Sequence, residues 1–157
     1  MSQHGDGIDL DTSLGYLLKE AASALRTAME SVLRPLGMTM THYSCLELLA
    51  QRPGLSNSEL ARGAFVTRQS MNVLLQALER DGLVTRPSEA PVGKVLPTRL
   101  TAAGRRQLEQ ASAAVRSVEV RMLHGMDQDE QTAALRALRS MVRSLRGTGG
   151  DAGSGRA

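Results

Sequence analysis

A polar run in the middle of the chain carries residue types that can read the edges of DNA base pairs. Glutamine and asparagine can pair with adenine, arginine with guanine, and valine can contact the methyl group of thymine. At helical spacing these side chains share one face, opposite Leu74, Leu75 and Leu78, which would anchor the helix to a core. The candidate base-reading residues are Arg68, Gln69, Ser70, Asn72, Val73 and Gln76. The solvent-facing surface of any amphipathic helix has the same pattern, so this face alone leaves both interpretations open.

Positive charge gathers around this run. Between Arg62 and Arg106 there are eight basic and three acidic side chains, so this span carries +5 within a chain whose net charge is +3. A basic stretch in a near-neutral chain is typical of a polyanion-binding surface, and a solvated arginine-rich face explains it equally well. The candidate phosphate contacts are Arg62, Arg68, Arg86 and Lys94, with Arg99 and Arg105 as further candidates.

The elements predicted around the polar run form a winged helix-turn-helix. Ser56 and Glu59 make a capping box that opens a short helix, and Thr67 is the expected N-cap of the helix that bears the run. Gly82 lies just past the end of that helix, where a left-handed residue is needed. β-prone pieces bracket the Pro- and Gly-containing stretch 85–101, which predicts a hairpin, or wing. The major groove of B-DNA admits one helix, and a β-ribbon can reach an adjacent groove.

Helices with apolar stripes flank this motif on both sides. The first is predicted to begin at an N-cap, Asp11 or Thr12, and to stop at Pro35 and Gly37. Thr39 opens the second helix. A long helix is predicted over about 101–125, and a capping box formed by Asp127 and Glu130 opens the last one. Apolar steps of three and four along these helices suit packing against a partner helix, although an intramolecular bundle would need the same spacing. The stripe residues of the last two helices are Leu108, Ala111, Val115, Val118, Met122, Leu135, Leu138, Val142 and Leu145.

Taken together, several of these motifs resemble the MarR family of bacterial transcription regulators. They are Glu59-Leu60-Ala61, QSMN at 69–72, LERDGLV at 78–84 with Arg86, and Leu100-Thr101 with Gly104. With the flanking helices, the resemblance covers roughly residues 11–146. It implies a mainly α fold with a small β-hairpin wing, in which a winged helix-turn-helix domain is flanked by N- and C-terminal dimerisation helices.

The resemblance also implies a function and a division of the chain. We expect a homodimer that binds a pseudo-palindromic operator, usually as a repressor, until a small-molecule effector or an oxidant releases it. The expected segments are a flexible arm at 1–10, a dimerisation helix at 11–37, the DNA-binding lobe at 38–100, dimerisation helices at 101–146 and a disordered tail at 147–157. A ligand-binding or protein-interaction module on the same scaffold, without specific operator binding, is the alternative.

The predicted wing departs from the family pattern at its tip. Many members carry an Asp and an Arg there, whereas this chain has Val92, Gly93 and Lys94. Some members carry a Gly-Arg tip instead, and Gly93-Lys94 resembles that variant, so Lys94 is the predicted wing residue. Because lysine lacks the flat fork of arginine, its contact could be with phosphate rather than with a base. Arg86 at the base of the hairpin is expected to be structural or phosphate-binding.

The signal input is the least defined part of the sequence. The effector candidates are Tyr16, His42 and Tyr43, each with a polar tip on an apolar body, although each could equally be a core or dimer-interface residue. Cys45 could sense an oxidant, or line the same pocket. Because Cys45 shares a helix face with Leu48 and Leu49, an ordinary buried thiol is the favoured interpretation.

Several classes of function find no support in the sequence. No catalytic set, phosphate-cradling glycine motif or paired carboxylates suggests an enzyme or a cofactor, and no two histidines have metal-binding spacing. The chain shows no apolar run long enough to span a bilayer and no leader. With a single cysteine, it is expected to work in a reducing cytoplasm.

Overall fold

The fold was obtained as a computed structural model, which describes residues 7–86 and 97–147. The described residues form helices with one short antiparallel hairpin, in the order that the sequence predicts. The elements are α1 (Leu14–Leu33), a 3-10 turn (Arg34–Leu36), α2 (Met40–Gln51), α3 (Asn57–Gly63), α4 (Arg68–Arg80), β1 (Val84–Thr85), β2 (Arg99–Leu100), α5 (Ala102–Met122) and α6 (Gln128–Gly147). The predicted class, mainly α with a hairpin wing, is confirmed.

Local capping explains where most of the helices begin. Thr39 Oγ1 accepts a hydrogen bond from the His42 N–H (3.1 Å) at the start of α2. Ser56 and Glu59 form both bonds of the predicted capping box at the start of α3. These bonds satisfy backbone N–H groups that the helix itself leaves without a partner.

The start of α1 corrects the prediction. Asp11 and Thr12 were the expected N-caps, but Ser13 holds that position, and its Oγ accepts from the Tyr16 N–H (3.2 Å). The reason is a turn just before the helix, in which Asp9 accepts from the N–H groups of Asp11 and Thr12. The turn therefore holds Asp11 and Thr12 outside the helix, and Ser13 is the residue directly before its first turn.

A larger unit of the chain, ending at Glu119, contains the apolar core. The buried apolar side chains come from the end of α1, from α2 to α4, from β1 and from α5, with Met38 just before α2. They are mainly Leu, Val and Ala, together with three Met and Cys45. Leu75 and Leu78 of α4 are buried and Leu74 packs partly against the core, as the sequence predicts. The core thus holds α4 by one face and leaves the other to solvent.

Val120 begins a smaller unit that contains α6. The capping box that the sequence predicts is present, since the Glu130 N–H donates to Asp127 Oδ1 (2.8 Å) and the Asp127 N–H donates to Glu130 Oε1 (3.4 Å). No side chain of α6 is buried. Among the described helices, none combines the length and the apolar character needed to cross a bilayer.

The structure describes the base of the wing, where its two strands pair. β1 and β2 are antiparallel, with Val84 opposite Leu100 and Thr85 opposite Arg99, which confirms the predicted hairpin pairing. Val92, Gly93 and Lys94 of the predicted tip lie outside the described residues.

Candidate nucleic-acid interface

The N-terminus of α4 is capped and open to solvent. Thr67 Oγ1 accepts from the Ser70 N–H (3.0 Å) and donates to Ser70 Oγ (2.9 Å), so the two hydroxyl groups fix the first turn. The Thr67 cap confirms the prediction. The N–H groups of the helix's first residues have no acceptor within an α-helix and can bind an anion such as a phosphate.

The predicted base-reading face of α4 is the face that the structure leaves accessible. Met71, Leu75 and Leu78 point into the core. Exposed on the other side are Arg68, Gln69, Ser70, Val73 and Gln76, whereas Asn72 is half-buried. Val73 is 61% exposed, so its side chain is accessible for an apolar contact with a bound partner. The structure therefore brings the predicted residues together on one surface.

The electrostatic setting of this surface is positive. From Leu60 to Leu78 the chain has two arginines, Arg62 and Arg68, and no acidic residue, and both arginines are exposed. The acid that precedes this segment, Glu59, belongs to the α3 capping box. Hydrogen bonds from Ser56, with a smaller contribution from the charge of Arg62, hold the pKa of Glu59 below its usual value. The surface is thus suited to a polyanion.

Arg86 is engaged within the protein. Its Nε donates to Glu79 Oε2 (3.0 Å), which ties the end of β1 to the last turns of α4. The sequence left a structural and a phosphate-binding role open, and this ion pair favours the structural one. Arg99, across the hairpin on β2, and Arg105 on α5 are exposed.

A compact junction joins the end of α4, the base of the wing and the start of α5. Thr101 Oγ1 donates to the Gly82 carbonyl (2.6 Å) and accepts from the Gly104 N–H (3.0 Å), and the Thr101 N–H donates to the Leu83 carbonyl (3.1 Å). A Cβ at Gly104 would overlap the Leu83 carbonyl oxygen. The Leu-Thr-x-x-Gly pattern therefore has a physical basis, because it sets the wing against α4.

The effector candidates lie at different places on α1 and α2. Tyr16 is exposed near the start of α1, whereas His42 and Tyr43 lie half-buried in the first turn of α2. A surface depression of about 210 Å³ includes Tyr43 but not Tyr16, His42 or Cys45. It is lined by Tyr43, Ser44, Glu47, Leu48, Gln51, Arg52 and Gly63.

Burial sets the protonation behaviour of the two polar candidates on α2. Burial lowers the pKa of His42, against the effect of its hydrogen bond with Gln107 Oε1 of α5 (3.2 Å). Burial also raises the pKa of Tyr43, with a further contribution from the nearby carboxylate of Glu47. Both side chains are therefore neutral hydrogen-bonding groups near pH 7.

Cys45 is fully buried in the core. Burial raises the pKa of its thiol to about 12, so the reactive thiolate is scarce at neutral pH. This environment favours a structural thiol over a redox sensor. Within residues 7–86 and 97–147, no group of three His, Cys, Asp or Glu side chains is placed to hold a metal ion.

Phe65 is a surface feature that the sequence did not reveal. The segment SELARGAF (58–65) predicts a short helix that ends at Phe65, but α3 ends at Gly63 and Phe65 stands in the turn before α4. Its φ is 59° and its side chain is 82% exposed. Phe65 is the one Phe of the chain, and this was the only feature of the sequence that could have drawn attention to it. Residue type alone does not reveal a left-handed turn position.

Comparisons with known proteins agree with this architecture. The model of the MarR family matches residues 36–93. The HTH-type transcriptional repressor Rv2887 of Mycobacterium tuberculosis is 42% identical over 135 residues, which cover 86% of this chain and 97% of the repressor. The crystal structure of Rv2887 with DNA has a TM-score of 0.70 at 40% identity, covering 83% of this chain and 98% of that chain. Its complex with salicylic acid has a TM-score of 0.69 at 42% identity, covering 83% and 97%.

Proposed function

The chain belongs to the MarR family, and from that premise we propose that it is a transcriptional repressor that binds a pseudo-palindromic operator as a homodimer. The observation that carries the proposal is α4, which buries one face and presents a capped, acid-free N-terminus with Arg68, Gln69 and Ser70 at the surface. This surface has the size and charge to enter a major groove.

Affinity and specificity are assigned to different side chains. Arg62, Arg68 and Arg99 neutralise phosphates, and Lys94 at the wing tip reaches the backbone or the minor groove. Arg86 contributes mainly by holding the wing through Glu79. Sequence is read by the exposed side of α4, and phosphate contacts fix its register on the duplex. The base-reading residues are Gln69, Ser70, Asn72, Val73 and Gln76, and Thr67 positions them through its cap.

The helices outside the DNA-binding lobe supply the dimer interface. Leu14 is 68% exposed at the start of α1, with Leu17 and Leu18 also exposed, and Leu135 is 51% exposed on α6. A second copy of the chain would remove these apolar surfaces from water. We assign residues 11–37 and 101–146 to this role and 38–100 to the DNA-binding lobe. A twofold dimer would present its two α4 helices about 34 Å apart, one turn of DNA.

Release from the operator is assigned to a small-molecule effector. Rv2887 has been crystallised with salicylic acid, which makes a small aromatic acid a sensible first ligand to try. Tyr16, His42 and Tyr43 remain the candidate contacts. The buried Cys45 has no part in this proposal, so release by an oxidant is disfavoured.

The remaining assignments follow from the class of protein. The MarR family comprises transcription regulators and is not an enzyme family. We accordingly assign the chain no catalytic activity and a cytoplasmic location, where its DNA target would be.

Fluorescence anisotropy with the DNA upstream of its own gene tests this function. We expect specific retention over unrelated competitor and a steep loss of affinity with salt, roughly 10³-fold or more between about 50 and 200 mM if six or more phosphates are contacted. Binding that is weak and equal for every sequence would favour the interaction-module alternative. An effector should then release the specific complex at unchanged salt.

A further inference from the structure

Phe65 combines two features that are each unfavourable in the free protein. Its φ of 59° is a left-handed conformation that bulky residues rarely adopt, and its ring is largely exposed to water. Every other residue with a positive φ in the described ranges is a glycine. Strained backbone and exposed apolar surface are both associated with binding sites, and here one residue has both.

Hydrogen bonds fix the conformation of this residue. The Phe65 N–H donates to the Arg62 carbonyl (3.3 Å), and the Val66 N–H donates to the Ala61 carbonyl (3.0 Å). These two bonds form a Schellman motif that closes α3, and Phe65 occupies the left-handed position where glycine is the usual choice. Because the backbone is held on both sides, the direction of the Phe65 side chain from the surface is held as well.

The surroundings of the ring indicate what it contacts. Phe65 is two residues before Thr67, so its Cα lies within about 7 Å of the N-cap of α4. Arg62 and Arg68 stand on either side of it in the chain, within the acid-free segment. A partner that satisfies this surface must offer negative charge and apolar surface side by side. The DNA backbone does so, because each phosphate alternates with a deoxyribose whose C–H groups are apolar.

We propose that Phe65 packs against a deoxyribose next to the phosphate bound at the N-terminus of α4. The contact fixes how deeply α4 enters the major groove, and it acts on any DNA sequence. The inference rests on the proposed operator binding, since it names an apolar backbone contact for that same surface. It differs from the assigned contacts because it carries no charge and reads no base.

Two substitutions separate the ring's contact from the backbone strain. Phe65→Asn removes the apolar surface and places at φ 59° a residue that tolerates it. Phe65→Leu keeps the strain and most of the apolar surface. We expect Phe65→Asn to melt at or above the wild-type temperature and yet to bind DNA about tenfold more weakly for each half-site, as for the loss of about half the burial of one phenylalanine in each protomer. Phe65→Leu should retain most of the affinity.

Salt dependence and base composition then identify the contacted group. A sugar contact predicts an unchanged slope of log affinity against log salt in Phe65→Asn, and an equal fractional loss for operator and unrelated duplexes. If the loss is confined to the operator and disappears when uracil replaces thymine, the ring contacts a thymine methyl group and the sugar assignment is wrong.

The same titrations keep this inference distinct from the proposed function. If the wild-type protein binds its operator specifically and Phe65→Asn binds equally well, the Phe65 contact is wrong and operator binding stands. If neither protein binds DNA, both are wrong. A melting temperature for each variant shows that any loss of binding comes from a folded protein.

Discussion

At the residue scale, the exposed face of α4 divides into side chains that act by charge and side chains that act by shape and hydrogen bonding. Arg68 and Gln69 are adjacent, both exposed, and both in the first turn of the helix. Their adjacency gives a matched pair of variants with the same fold and nearly the same position. Comparing these two variants therefore separates a contact with the DNA backbone from a contact with a base, because both leave the fold unchanged.

We expect Arg68→Ala to weaken binding to every duplex and to lower the salt slope of the dimer by about two, one for each half-site. Gln69→Ala should leave the slope unchanged and lose about 1–3 kcal/mol for each half-site on the operator alone, because a bidentate base contact is lost in each protomer. Anisotropy titrations at several salt concentrations measure both quantities.

Lys94→Ala should behave like Arg68→Ala, and a loss restricted to one operator sequence would show instead that the wing reads a base.

Cys45 gives a second prediction at this scale. Burial raises the pKa of its thiol to about 12, so we expect the native protein to react with a thiol reagent at pH 8 far more slowly than the unfolded protein. Peroxide should leave operator binding unchanged both in the wild type and in a Cys45→Ser control that still folds. Rapid labelling of the native thiol, or release from DNA by peroxide in the wild type alone, would restore the redox-sensor alternative.

At the element scale, the junction between α4, the wing and α5 depends on the absence of a side chain at Gly104. In Gly104→Ala the new methyl group meets the backbone oxygen of Leu83, which cannot move without disturbing Thr101 and its bonds. We expect a loss of about 1–3 kcal/mol in the free energy of unfolding, or more if the junction opens.

Gly15→Ala is the matched control for this substitution. Gly15 is also in a helix, but the nearest atom to an added Cβ is Ser13 Oγ at 3.9 Å. This variant should be neutral or stabilised by up to about 1 kcal/mol, because alanine favours the helix. Thermal melts followed by circular dichroism give the comparison, and equal melting temperatures for the two variants would rule out the close packing at Gly104.

The success of sequence-based prediction varied with the range of the interactions. Helix starts at Thr39, Ser56 and Thr67 could be predicted because a cap is decided within four residues. The start of α1 could not, because Asp9 forms a competing turn outside the helix. The partner of Arg86 and the conformation of Phe65 depend on how α4 and α3 end. No residue pattern in the sequence encodes them directly.

At the scale of the whole molecule, the proposed dimer depends on apolar side chains that the single chain leaves exposed. Leu138 on α6 is one of them, and Ser140 lies about 160° away around the same helix. We expect Leu138→Glu to lose the dimer, either as a monomer or by unfolding, because a charge would be buried in the interface. Ser140→Glu should remain a dimer.

Sedimentation equilibrium gives the oligomeric state of both variants, and melting curves show whether each is folded. A wild-type monomer, or a Leu138→Glu protein that stays dimeric with an unchanged melting temperature, would contradict the interface on α6. Because operator recognition by two half-sites requires the dimer, Leu138→Glu should also lose specific binding while Ser140→Glu keeps it.

A hydroxyl-radical footprint of the protein on the DNA upstream of its own gene tests the central claim most directly. The account predicts two protected half-sites related by near-palindromic sequence, with centres about 34 Å, or one helical turn, apart on one face of the duplex. Both footprints should disappear together in Arg68→Ala at moderate salt. Protection that is uniform along the DNA, or a single half-site without a symmetric mate, would contradict it.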